Sequence, residues 1–182
     1  MTRALFAAAI AALLAGCGFH WAGSRSLPGA LSWVYIDVVA PYQVSQPPLE
    51  AALRLRLTRR GAVLYGTPDG ARTVLRISDL TEAREVLSVD PFGKAVEFKL
   101  TTRVKYELLE DGNVVVPADV MSVSREYSFN ATQVLAKEAE ELRLQAFMQD
   151  QLAELLLLRL EGVLTMAPAA APAAAAGATP AP

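Results

Sequence analysis

The sequence predicts an α+β domain, a four-stranded sheet with two helices packed on one face, in the order β-α-β-β-β-α. Three observations predict it: strict period-two alternation in the middle of the chain, apolar residues at spacings of three and four near the end, and turn residues between the runs. The alternation is clearest across residues 96–108. Val96, Phe98, Leu100, Val104, Tyr106 and Leu108 fall on one side of the pleat, and Glu97, Lys99, Thr101, Arg103, Lys105 and Glu107 on the other. That pattern belongs to a sheet with one buried and one wet face.

The elements follow in order. Pro28-Gly29 ends a leading tether, and Trp33–Val39 is β-branched and aromatic, as strands are. Pro41 and the pair Pro47-Pro48 bound a linker before a helix over 49–60. Its prolines lie in the first turn, where missing N–H groups cost little, and Gly61 sits where a helix stops. Arg59 and Arg60 suit the negative end of its dipole. Thr73–Val89 is the second strand, closed by the turn Asp90-Pro91-Phe92-Gly93. The third is the alternating run. Glu110-Asp111-Gly112-Asn113 turns the chain into a fourth strand over 114–129, where Val115, Met121, Val123, Tyr127 and Phe129 are expected to share a face. Pro117 places that strand at an edge or marks a bulge, because proline cannot donate to the ladder. Asn130, with Gln133 three residues on, caps a last helix whose stripe is Leu135, Ala139, Leu142, Ala146, Ala153, Leu156 and Leu160. Run to Gly162, that helix is a rod of roughly 45 Å.

The N-terminus carries different information. Arg3 precedes an unbroken apolar run over 4–14, and Leu14-Ala15-Gly16-Cys17 closes it. This reads as a signal peptide over residues 1–16, too short to span a bilayer comfortably. The small residues admit an extended backbone to a peptidase, and the Cys17 thiolate can take a diacylglyceryl group as a stable thioether. Those four residues match the lipobox of bacterial lipoproteins. By resemblance to that class the mature N-terminus carries three acyl chains, and durable anchoring needs at least two. Gly18, rather than an aspartate, follows the cysteine, which in the same class favours the outer membrane. Residues 17–30 are then a lipidated tether, 31–164 the folded domain, and 165–182 an Ala/Pro-rich tail too poor in large apolar groups to order itself.

Composition narrows the function. Cys17 is the one cysteine, so no internal disulfide exists. The formal charge is −2, and falls to −3 when Arg3 leaves with the signal, which argues against a nucleic-acid binder. After Cys17 no apolar run approaches the roughly 20 residues of a membrane-spanning helix. His20 is the one histidine and has no second ligand to join it, so neither a metal site nor a Ser-His or Cys-His nucleophile is expected. Glu110 and Asp111 sit beside Gly112 and Asn113 and read as turn chemistry rather than paired catalytic carboxylates. No phosphate-cradling glycine loop occurs. Neither an enzyme nor a cofactor site is expected.

Two blocks carry a family resemblance. Gly16-Cys17-Gly18-Phe19-His20-Trp21 is one; Ser124-Arg125-Glu126-Tyr127-Ser128-Phe129-Asn130, followed by Gln133-Val134-Leu135-Ala136-Lys137-Glu138, is the other. With the element order they resemble the LptE family of lipopolysaccharide-assembly lipoproteins; the Ala/Pro tail departs from that pattern. The resemblance implies an outer-membrane protein that plugs and helps assemble the β-barrel of an LptD partner and assists lipopolysaccharide transfer to the outer leaflet. Arg103 and Lys105 on the wet face, with Arg125 of the second block, are the expected partner-facing residues. A polar barrel lumen and bulk solvent would suit that face alike. Lys137 and Lys94 are the expected lipopolysaccharide contacts. Lys137 lies near a helix N-terminus, where a nearby anion would offset the dipole, and Lys94 follows a turn at a loop tip. An unrelated periplasm-facing lipoprotein adaptor, binding a protein through its sheet and long helix, is the alternative.

Overall fold

The structure is a computed structural model, which describes residues 27–39, 46–128 and 134–166. Cys17 and His20, the expected cap Asn130 with Gln133, Phe129, and the Ala/Pro tail lie outside the described residues. A 3-10 turn over Gly29–Leu31 leads into β1 (Trp33–Val39), α1 (Pro48–Arg59), β2 (Val63–Tyr65), β3 (Thr73–Val89), β4 (Ala95–Glu110), β5 (Asn113–Ser128) and α2 (Val134–Met166). The sheet has five strands, not four, in the order β2-β1-β3-β4-β5. β1 pairs parallel with β2 on one side and β3 on the other, while β3, β4 and β5 form an antiparallel meander. The additional strand is only three residues long and lies between Gly61 and Gly66. Three residues are too few for alternation to register, and β2 exists because α1 returns the chain alongside β1.

Local chemistry fixes the joints. Pro48 opens α1 at a position where its missing N–H costs nothing. Gly61, at φ 87°, ends it: the Gly61 N–H donates to Thr58 O at 3.0 Å and the Ala62 N–H to Leu57 O at 3.0 Å. That crossed pair satisfies the last carbonyls of the helix and needs a left-handed residue. Asp111 (φ 50°) and Gly112 (φ 79°) make the two-residue β4–β5 turn, whose twist matches that of the strands.

Both helices cover one face of the sheet. Val34, Ile36, Leu75, Ile77, Val104, Tyr106 and Leu108 meet Leu49, Leu53 and Leu57 of α1 and Leu152, Leu156 and Leu160 of α2. A second, smaller cluster of Phe98, Leu100, Tyr127 and Met148 lies towards the β3–β4 turn. The β4 alternation holds as expected. In β5 the phase changes: Tyr106 pairs with Asp119 but Leu108 with Val116, so one strand advances by three residues where the other advances by two. This bulge adjoins Pro117 and puts Val116, at 4% exposure, into the core in place of the expected Val115. Edge position and bulge are both realised.

The α2 stripe holds only in part. Ala153, Leu156 and Leu160 are buried, but Ala139 and Ala146 are exposed and Leu142 is 67% exposed. Leu142 lies 18 residues before Leu160, about five whole turns, so the two point in the same direction. What differs is the neighbour. α1 docks only on the later part of α2, through Leu49 with Gln149, Arg56 with Asp150, and Arg60 with Glu161. Before that junction, the flank that α1 covers further along has no α1 to meet, and burial shifts to Leu144 and Met148 on the sheet side.

Candidate functional site: the open face of the sheet

The face away from the helices is organised in rows that run across the strands. Asp37, Arg76 and Glu107 are register partners on β1, β3 and β4. The Arg76 guanidinium donates to Asp37 at 3.2 Å and to Glu107 at 2.7 Å. The hydrogen bond to Asp37 pushes the Arg76 pKa above its ordinary value, against partial burial and with Glu107 adding to it. Towards the β3–β4 turn the next row holds Ser78, Lys105 and Val120, then Thr81, Arg103 and Ser122, then Ala83, Thr101 and Ser124. Thr101 and Ser124 hydroxyls meet at 3.0 Å. Glu85, Lys99 and Glu126 follow, a cation flanked on both sides by carboxylates.

Arg103 and Lys105 therefore sit side by side on the exposed face, as expected, and neither ion-pairs with another described residue. Arg125 does not join them. It pairs with Leu100, on the helix-facing side, where its guanidinium donates to Gln151 of α2 at 2.9 Å and lies 5.8 Å from the Phe147 ring. A bulge between Ser78 and Thr81 similarly turns Arg84 to the helix side, over the Phe98 ring at 3.7 Å and bonded to Glu141 at 3.0 Å. Glu141 also accepts from the Tyr127 hydroxyl at 2.5 Å; burial first, and this carboxylate second, push the Tyr127 pKa up to about 12.

Lys94 and Lys137 occupy the same end of the molecule, because β5 finishes opposite Glu97 and α2 starts six residues after Ser128. Lys94 is exposed at the start of β4, beside a turn held by Asp90, whose carboxylate accepts from the backbone N–H groups of Phe92 at 2.8 Å and Lys94 at 2.9 Å. Lys137 is different. Its ammonium is 2.7 Å from Glu140, one turn on, and its side chain is 17% exposed. The anion that its place near the helix start invites is thus supplied by its own helix. Glu110 and Asp111 behave as turn residues, both held at 3.2 Å by Arg72. Among the described residues no cluster of His, Cys, Asp or Glu could hold a metal ion, and no described helix is long and apolar enough to cross a membrane.

The sequence profile of the lipopolysaccharide-assembly LptE family matches residues 33–160, which takes in the whole sheet, α1 and α2 as far as Leu160. The chain belongs to the LptE family. The LPS-assembly lipoprotein LptE of Pectobacterium atrosepticum is 31% identical over 150 residues, covering 81% of this chain and 78% of that one. Two solved structures share the fold. An uncharacterized lipoprotein B from Nitrosomonas europaea superposes with a TM-score of 0.62, at 22% identity, over 82% of this chain and 94% of that one. The rare lipoprotein B from Shewanella oneidensis gives 0.61, at 21% identity, over 72% and 96%. LptE-family proteins are lipopolysaccharide-assembly lipoproteins and not enzymes. Sequence reasoning missed the paired state of Arg76 and the placing of Arg125 on the helix side of the sheet. The first needed the cross-strand register; the second was signalled by period two, since Arg125 falls between Val123 and Tyr127 on the face expected to be apolar.

Proposed function

We propose that this chain is an outer-membrane lipoprotein that plugs and helps assemble the β-barrel of an LptD-type partner and assists passage of lipopolysaccharide to the outer leaflet. In this reading residues 1–16 are a signal peptide, Cys17 carries the lipid anchor, and the expected tail, whose first two residues Thr165 and Met166 belong to α2, begins beyond 166 and lies outside the working domain. The observation that carries it is the open sheet face. It presents hydroxyls and interspersed charges across three long strands, while Leu49, Leu53 and Leu57 of α1 and Leu152, Leu156 and Leu160 of α2 are turned to the core on the other side. A polar face of that width suits the polar interior of a barrel. Arg103 and Lys105 face that wall, and Lys94, the more exposed of the two lysines at the far end, meets the phosphates of the glycolipid, with Lys137 at the same end of the domain.

Pull-down from native membranes in mild detergent tests the reading: an outer-membrane barrel should come down with the chain. Recovery of a different periplasmic protein and no barrel would establish the adaptor alternative instead. For the glycolipid, Lys94→Asp with Lys137→Asp should lower lipopolysaccharide binding by the purified chain and leave barrel recovery nearly unchanged.

A further inference from the structure

The open face is not polar throughout. One row from the end where β1 enters, Tyr65, Tyr35, Val74, Leu109 and Val114 are register partners in unbroken succession across all five strands. Trp33 and Val63, also paired, extend this row at its β1–β2 corner, and the Trp33 and Tyr65 rings lie 6.3 Å apart. Trp33, Val63 and Val114 are 54%, 46% and 56% exposed. All seven point away from the helices, since their strand neighbours Val34, Thr73, Leu75 and Leu108 are buried on the other side.

We propose that this row is the apolar core of the contact with the barrel, and that it, rather than the charges of Arg103 and Lys105, supplies most of the hold. The inference rests on the plug reading and deepens it by naming the partner's chemistry: an apolar or aromatic strip near one rim of the barrel wall. Three observations select that occupant. The row continues directly into the polar rows of the same face, so whatever covers one lies beside the other. Its flanks are already neutralised, with Arg76 held by Asp37 and Glu107 on one side and Arg72 by Glu110 and Asp111 on the other. Closed ion pairs around an apolar centre are the rim and core of a protein interface, whereas an anionic lipid surface is met by free cations. Finally, the row offers on the order of 400 Å², about half the ~800 Å² per partner that a stable interface buries. It is therefore one part of a larger contact rather than a self-sufficient site for a second copy.

The test is Trp33→Thr/Val63→Thr/Val114→Thr in the full chain, compared with Arg103→Glu/Lys105→Glu. Threonine keeps the β-branched shape and strand preference while making the surface polar. A melting curve of the purified variant checks folding; should it not fold, Val114→Lys alone, at the opposite end of the row on an edge strand, replaces it. The expected result is a tenfold or greater loss of co-purified barrel that is the same at 0.15 and 0.5 M salt, against a smaller, salt-dependent loss for the charge reversals. A folded variant that retains the barrel overturns the inference. So does a barrel-retaining variant that has lost self-association in light scattering, or lost flotation with phosphatidylethanolamine–phosphatidylglycerol vesicles, because the row's occupant is then a second copy or the membrane. If the parent chain recovers no barrel, the plug reading itself fails, and this inference with it.

Discussion

Gln149→Leu is the substitution whose outcome follows most directly from the geometry. The Gln149 side chain is 8% exposed and bridges two elements: its Oε1 accepts from the Leu49 N–H at 3.0 Å, and its Nε2 donates to Glu82 at 2.9 Å. Leu49 is the second residue of α1, preceded by two prolines, and no local side chain caps this end. The cap thus comes from a residue 100 positions away. Leucine has nearly the volume of glutamine but no acceptor, so a buried N–H is left without a partner, at about 1–3 kcal/mol. Loss of the half-exposed bond to Glu82 adds a fraction of that, and greater apolar burial offsets some of it. The expected destabilisation is about 2 kcal/mol, or a fall in Tm of about 6–10 °C for a domain of roughly 130 residues. Thermal and urea melts of lipid-free residues 27–166, followed by circular dichroism, measure it. Glu82→Ala removes the outer bond alone and should cost less than half as much. If Gln149→Leu melts within about 1 °C of the parent, or no lower than Glu82→Ala, the long-range cap does not stabilise the fold.

Leu156→Ala, at a site with no exposure on the face shared by sheet and helices, should cost about 2–5 kcal/mol and shift the urea midpoint without changing the slope. Asp150 is held below its ordinary pKa chiefly by its hydrogen bond to Arg56; a depressed carboxylate stabilises above its unfolded pKa, and that gain disappears as pH falls through the folded value. Asp150→Asn should therefore flatten the stability profile below about pH 4, and cost under about 1 kcal/mol at pH 7 because the carboxylate is half exposed; an unchanged acid limb would contradict the pairing. Arg103→Glu with Lys105→Glu should weaken barrel recovery moderately and more at low salt than at high, and full recovery at low salt would remove both residues from the contact. Cys17→Ser should leave an uncleaved, unacylated precursor by mass spectrometry of the N-terminus; a lipidated product would contradict the anchor assignment.

Much of the fold was legible because it rests on local pattern. β1 and β3 have the bounds their composition indicates, and β4 declares its two faces through alternation alone. What stayed hidden depends on partners distant in sequence. β2 is a strand only because α1 delivers three residues to the edge of β1. Val116 replaces Val115 in the core because a bulge beside Pro117 shifts the register, and neither residue type signals that. Leu142 sits on the expected stripe but lacks a neighbour, since helical periodicity reports direction and not what lies opposite. The cations on the open face were readable from β4. The apolar row was not, because it takes one or two residues from each of five strands, one of them unforeseen.

The cap that Gln149 gives to α1 also orders events in time. A chain emerges from the ribosome N-terminus first, so β1, α1 and the whole meander are made before the helix that completes their core. Until Leu152, Leu156 and Leu160 arrive, the apolar side of the sheet has only α1 to cover it, and α1 itself lacks the acceptor for its buried first-turn N–H. The last thirty or so residues of the domain act as its closing clasp, and apolar surface left open before they dock is the kind that aggregates.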